Sequence, residues 1–347
     1  MVNGYSGWQV APLAKDSADR WDDFVRGAPA GTFFHLSGWR NVIERAFGHK
    51  SHYLYAEKDG AIGAVLPLFH VNSRLFSNAL ISTPFCSYGG VAASDAAAGD
   101  ALVEAAGKLA TDLRVDYLEL RNLDASGHEW PAKDLYATFR VPIDSDPDVN
   151  FKAIPGKQRT KVRRGQRLGL ATEFDTTVDR HYDIYAEMVR NLGTPVFSKR
   201  YFELLKEEFG QDCDIMTITC DGRPVSSMMN FWFRDEMLVY YGGGTDEARQ
   251  LKSNYYLYWE LMRHAAENGA TLIDYGRSKR GSGAWDFKEH WGWQPTQLHY
   301  EYQLFNRATV PNVSPANPKY RPLINAWKRL PVPLTRLIGP MIARNLG

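Results

Sequence analysis

Apolar residues recur along this chain in two alternating rhythms. Over 35–69 the sequence reads HLSGWRNVIERAFGHKSHYLYAEKDGAIGAVLPLF, and over 197–231 it reads FSKRYFELLKEEFGQDCDIMTITCDGRPVSSMMNF. Each stretch opens with apolar positions spaced three to four residues apart, the signature of an amphipathic helix, and then switches to near-strict alternation, the signature of a half-buried strand. The helices are predicted to stop at Phe47-Gly48 and Phe209-Gly210, because glycine accepts the left-handed conformation that ends a helix. An Asp-Gly pair follows in each, Asp59-Gly60 and Asp221-Gly222, and predicts a tight hairpin into a second strand. Gly48 to Asp59 and Gly210 to Asp221 are both eleven positions.

The parallel continues downstream. FCSYGGV (85–91) matches VYYGGGT (239–245), each read as an apolar strand running into glycines. A helix pattern follows in both, DALVEAAGKLATDLR and NYYLYWELMRHAAENG, then a strand with a carboxylate near its end, DYLELRN and TLIDYGRS. The pattern predicts a duplicated α/β unit with mixed sheets. The expected division is a first domain over 1–150, a second over 151–306, and a proline-punctuated tail over 307–347.

Composition narrows the classes. Hydrophobic content of 44% with 23% charged residues supports a sizeable core. Lys+Arg 41 against Asp+Glu 40 leaves a net charge of +1, so any basic site must be local. Three cysteines without a Cys-x-x-Cys pair argue against a disulfide framework or a zinc site. With no apolar signal core at the start and no run of eighteen apolar residues, the expectation is a soluble, cytoplasmic protein.

Two stretches concentrate polar chemistry. The segment 157–167 is dense in Lys and Arg with no acid and is predicted to be a helix after Pro155-Gly156. The segment 274–292, DYGRSKRGSGAWDFKEHWG, crowds cations, carboxylates, tryptophans and glycines directly behind an apolar strand. The tail interleaves Leu, Ile and Trp with Lys328, Arg329, Arg336 and Arg344, and is expected either to dock on the body or to lie on an anionic membrane surface.

The order helix, hairpin, glycine-ended strand, helix, strand, short aromatic helix resembles the GNAT acyltransferase fold. Two such units in tandem resemble the Fem-type aminoacyl- and acyltransferases. RTKVRRGQRLGL, DYGRSKRGSGAWDFKEHWGWQP and WKRLPVPLTRLIGPMIARNLG look closest to a Fem-like subgroup found with exosortase and exopolysaccharide export systems. The resemblance implies transfer of an aminoacyl or acyl group to an amine or hydroxyl on a cell-envelope glycan, a peptidoglycan precursor or an exopolysaccharide. The donor would be a co-substrate, aminoacyl-tRNA or acyl-CoA or acyl carrier protein, with no tightly bound cofactor. The partner would be a lipid-linked or nucleotide-linked glycan precursor. One departure bears on the donor. In the stretch EARQLKSNYYLYW, Lys252 and Asn254 occupy the glycine positions of the loop with which acetyl-CoA enzymes of this fold cradle pyrophosphate, which disfavours acetyl-CoA.

The resemblance also implies a cleft where strand 271–276 splays from strand 238–244, covered by the helix of AWDFKEHWG. Asp274 and Tyr275 would handle protons there, and Lys288 would face phosphate or developing negative charge. Arg277, Lys279 and Arg280 would clamp a diphosphate or a tRNA end, with Arg159, Lys161, Arg163 and Arg164 as further anion ligands. Tyr241 would line the cleft and Trp285 would stack on a sugar. Plainer readings stand beside these: Asp274 capping the next turn or pairing with Arg277, Lys288 in a surface salt bridge to Asp286 or Glu289, Trp285, Trp291 and Trp293 packing the covering helix, and a solvated basic helix. Without a Gly-x-Ser-x-Gly elbow, direct attack is expected rather than a covalent intermediate. The competing class is a non-catalytic adaptor of a polysaccharide export system.

Overall fold

A computed structural model describes residues 7–14, 17–73, 78–310 and 321–345. The chain forms two compact units. The first comprises Met1–Tyr136, Gln297–Val313 and Arg344–Gly347, and the second comprises Ala137–Thr296 and Ser314–Ala343.

In the first unit the helix Gly38–Phe47 ends at Gly48 with φ 73°. Strands Leu54–Lys58 and Ala61–Leu66 then pair through Asp59 and Gly60, both at positive φ, as an Asp-Gly hairpin requires. A second sheet runs in the order Lys50–Ser51, Leu68–Asn72, Asn78–Ser82, Tyr117–Asn122, His299–Leu304, Ala132–Lys133. The helix Ala96–Asp112 buries Ala98, Leu102, Ala106 and Ala110, one stripe at helical spacing, in a core shared with Leu118 and Leu120.

The main sheet of the second unit has six strands. Its order is Arg140–Pro142, Leu272–Asp274, Glu236–Gly244, Arg223–Phe233, Cys213–Cys220, Ala171–Phe174. Glu236–Gly244 and Leu272–Asp274 run parallel, and the other neighbours are antiparallel. Asp221 and Gly222 again turn the hairpin at positive φ. Met216 and Ile218 join the core cluster of the helix Ser253–Glu267, which includes Leu257, Leu261 and Ala265.

Three expectations meet a different outcome. Residues 85–91 do not form a strand. The ladder stops at Ser82, because Thr83 (φ 36°) and Phe85 (φ 69°) adopt left-handed conformations incompatible with it, and Phe85 stacks at 4.0 Å on Phe47. The division at 150 is also displaced. Arg140–Pro142 is an edge strand of the second unit, whereas His299–Leu304 lies in the first unit's sheet, antiparallel to Tyr117–Asn122. The tail is not a separate segment either: its helices Arg321–Trp327 and Val332–Ala343 fall within the second unit, and 311–320 and 346–347 lie outside the described residues. Thr335, Gly339 and Ala343 are buried, and Arg336 pairs with Asp183 at 2.7 Å, so the tail docks on the helix Asp179–Leu192.

Candidate active site

The glycine strand Glu236–Gly244 pairs with Leu272–Asp274 for only three residues, ending at Leu238 opposite Asp274. Beyond that point it follows Arg223–Phe233 alone, out to Gly244 opposite Ser226. The short strand turns off because Asp274 Oδ1 accepts the Gly276 N–H at 2.8 Å, closing a local turn, while Tyr275 N–H donates to Phe139 O at 2.9 Å on the opposite side. Gly276 sits at φ 73°, and a Cβ there would lie 3.0 Å from Val239 O, so only glycine fits where the two strands part. The register of the glycine strand also shifts between Met229 and Asn230, leaving Tyr240 without a residue opposite, a bulge next to the parting point.

The helix Gly283–Glu289 covers this region, its first turn capped by the Ser282 side chain, which accepts from Trp285 N–H. It turns Lys288 inward. Lys288 Nζ donates to Gly276 O at 2.7 Å and to Ser278 Oγ at 2.9 Å, and lies 5.3 Å from the Phe139 ring centroid. The residue is 4% exposed, and burial pushes its pKa down to about 7, against the upward pull of the Asp274 carboxylate. This overturns the plainer reading of a surface salt bridge. A lysine in this setting exchanges its proton near neutrality.

Asp274 is 2% exposed. Thr138 Oγ1 and the Gly276 N–H donate to it, and Arg140 Nη1 lies 3.9 Å away. Arg140 is itself bonded to Glu236, whose pKa burial raises in spite of that cation. Both of these hydrogen bonds fall on Oδ1, so Asp274 anchors the Gly276 turn, as the capping reading expects.

Tyr275 does not hold the proton-handling position expected of it. Its ring stacks 3.8 Å from Trp293 and 5.3 Å from Tyr258, its hydroxyl is buried with no hydrogen-bond partner, and burial pushes its pKa well up. Trp285 is likewise core rather than sugar platform, packed edge-on against Phe139 at 5.3 Å with Arg280 5.0 Å over its ring. Tyr241 joins an aromatic cluster instead of lining the parting. Its hydroxyl is 2.9 Å from that of Tyr201, and its ring meets Phe202 at 5.4 Å. Arg277 and Arg280 are exposed and Lys279 is half-buried.

The predicted basic helix is Gly156–Arg167. It packs closely on the helix Ser253–Glu267 because Gly165 leaves room: a Cβ there would come within 2.8 Å of Tyr256 Cβ. Gln158 Nε2 donates to His290 O at 2.5 Å, and Lys161 Nζ reaches Tyr255 Oη at 3.0 Å over its ring, which packs 4.9 Å from Phe287. Lys161 therefore sits beside the covering helix. Arg159 instead bonds Lys152 O, Arg163 lies over Phe151, and Arg164 reaches Gln250 O. With Thr160, Gln166 and Arg167, Arg163 lines a surface concavity. The four cations do not converge, since one helix presents only one inward face.

Where acetyl-CoA enzymes need glycines, Lys252 (φ 59°) joins the helices Asp246–Leu251 and Ser253–Glu267, and Asn254 Oδ1 accepts from Ser226 Oγ at 3.1 Å. The matching parallel pair in the first unit, Asn78–Ser82 with Tyr117–Asn122, carries a buried ion pair at its end: Arg121 Nε to Glu119 at 2.7 Å, with Arg121 Nη1 on Cys86 O. Sequence reading missed Thr138, Phe139, Arg140 and Glu236, since no motif marks them, and passed over Ser278 within the polar segment 274–292. Among the described residues no cluster of His, Cys, Asp and Glu is arranged to hold a metal, and no helix is long and apolar enough to cross a membrane.

Residues 156–289, within the second unit, match the family described as acetyltransferase (GNAT) domain. No curated protein sequence matches the chain. Among solved structures, FemX is similar with a TM-score of 0.65 at 14% identity, covering 91% of this chain and all of that one. The C-terminal DUF2156 domain of a putative lysylphosphatidylglycerol synthetase from Agrobacterium fabrum aligns with a TM-score of 0.53 at 14% identity, over 84% of this chain and 92% of that one. A tandem GNAT protein from the clavulanic acid biosynthesis pathway aligns at 0.54 and 12% identity, over 87% and 100% respectively. The fold is a tandem GNAT fold.

Proposed function

We propose that this chain transfers an aminoacyl group from aminoacyl-tRNA to an amine or hydroxyl on a lipid-linked or nucleotide-linked precursor of an envelope glycan, a peptidoglycan unit or an exopolysaccharide. The observation that carries the reading is the parting of the glycine strand from Leu272–Asp274 beneath a helix that turns Lys288 inward. The acceptor's lone pair attacks the acyl carbonyl carbon. The bond from that carbon to the carrier oxygen breaks, and the acceptor's proton passes to the carrier. Lys288, neutral in part near pH 7, relays that proton. Backbone N–H groups of the glycine strand beyond Leu238 face the developing oxyanion. Asp274 acts through Gly276 as a positioning residue. The exposed Arg277 and Arg280, with Lys279 and the cations of the basic helix, attract the carrier's phosphates. The likeness to FemX supports the aminoacyl donor, and the exosortase setting rests on the sequence resemblance.

A second reading, an acyl group carried as a thioester on CoA or acyl carrier protein, is favoured by the GNAT family match and weighed against by Lys252 and Asn254. The purified chain should be given labelled aminoacyl-tRNA, acyl-CoA and acyl carrier protein, each with lipid-linked and nucleotide-linked precursors. Label moving from aminoacyl-tRNA, with a loss of roughly a hundredfold or more in Lys288→Ala, is expected. Transfer only from thioesters favours the second reading. If no donor is used and Lys288→Ala retains its cellular role, the chain is an adaptor.

A further inference from the structure

The tail helix Val332–Ala343 has two unlike long faces. Thr335, Gly339 and Ala343, spaced four apart, are buried on the second unit. The contact is close: a Cβ on Gly339 would come within 2.8 Å of Val196 O and 2.9 Å of Val196 N. Arg336, bonded to Asp183, fixes the rotation of the helix about its axis. The other stripe, Leu334, Leu337 and Met341, follows the i, i+3, i+7 spacing and faces outward, with Leu337 72% and Met341 70% exposed. Leu323 on the preceding helix is 69% exposed. A row of large apolar side chains exposed along one helix face is the mark of an interaction surface.

Charge selects that partner. From 321 to 344 the chain holds Arg321, Lys328, Arg329, Arg336 and Arg344 and no acidic residue. Lys328 and Arg329 are exposed in the short connection leading to the apolar stripe. Two copies meeting face to face through this stripe would bring these cations together, so charge opposes a self-association surface. An anionic bilayer offers both complements, acyl chains for the leucines and methionine and phosphates for the cations. Twelve residues are too few to span a bilayer but enough to lie in its interface.

We propose that the outward face of Val332–Ala343, with Lys328 and Arg329, is a docking surface for an anionic phospholipid membrane. The tail is docked on the second unit by one face and offers the other to lipid. The inference is independent of which donor the chain uses, because its test contains no substrate.

The full chain is sedimented with vesicles of phosphatidylcholine alone and of an equimolar mixture with phosphatidylglycerol, at low and high salt. Binding to the mixed vesicles, released by salt and absent from phosphatidylcholine, is expected. Leu337→Ser and Met341→Ser should each weaken binding about tenfold. Lys328→Gln and Arg329→Gln should each weaken it about fivefold. An unchanged melting temperature checks that these exposed substitutions leave the fold intact. No binding to either vesicle, or binding that none of the four variants weakens, overturns the proposal. So does self-association in light scattering that Leu337→Ser with Met341→Ser abolishes while vesicles go unbound, which assigns the face to a second copy.

Discussion

Replacing Lys288 by methionine tests whether the amine is buried as described. In the unfolded chain this lysine titrates at its ordinary 10.5, and in the fold at about 7. Above pH 10.5 both states hold a neutral amine, and the burial cost is absent. Below about pH 7 both states are protonated, and the folded state bears the full cost of a buried ammonium. Between these limits the unfolded state binds more protons, so stability rises with pH by up to about 1.4 kcal/mol per pH unit. Across the whole window that amounts to an upper bound of about 5 kcal/mol. Methionine fills a similar volume without the charge, but it leaves Gly276 O and Ser278 Oγ without their donor, at a cost of about 1–3 kcal/mol. Lys288→Met should therefore stabilise the protein by on the order of 2 kcal/mol near neutrality, and the advantage should vanish or reverse toward pH 10. Denaturant unfolding followed by tryptophan fluorescence, run for parent and variant across that pH range, reads the difference directly. Stability curves that stay parallel from neutral pH to pH 10 would refute the reasoning, because they would mean that Lys288 titrates alike in both states.

Two further predictions concern neighbours of the site and the tail. Asp274→Asn keeps acceptors for Thr138 and Gly276 but removes the negative charge that supports the Lys288 ammonium. The pH–rate profile of the transfer reaction should therefore move to lower pH on its acid side, a shift that a merely structural role would not produce. Gly339→Ala places a methyl against the Val196 backbone and should lower stability by about 1–3 kcal/mol. Limited proteolysis should then cut the tail faster than in the parent.

Elements with a local signal were legible in the chain, and those made by distant pairing were not. Both Asp-Gly hairpins, the two Phe-Gly helix ends and the basic helix lie where periodicity and turn chemistry predict them, and the covering helix lies where the resemblance implies it. Residues 85–91 misled because apolar composition ending in glycines reads the same for a strand and for a buried irregular loop. The left-handed Thr83 and Phe85 are held by tertiary packing, not by sequence preference. His299–Leu304 carries ordinary strand character, and nothing in its composition tells which sheet it joins. In the site, the same rule separates Lys288 from its company. The resemblance singles out Lys288 on its short helix, whereas Thr138 and Arg140 lie more than a hundred residues earlier, on two short strands that bear no motif.

Those unmarked residues explain how the site keeps a lysine amine buried. Gly276 is bonded through its N–H to Asp274 and through its carbonyl to Lys288, so one residue links the carboxylate and the amine. The chain can take this turn beside the glycine strand because residue 276 has no side chain to meet Val239 O. Thr138, Arg140 and the turn amide surround the buried Asp274 carboxylate. Its charge in turn limits how far burial lowers the Lys288 pKa, leaving it near neutrality instead of far below. The strand parting and the pKa of the amine are thus one arrangement. A substitution at 276 that straightens the turn would disturb both together.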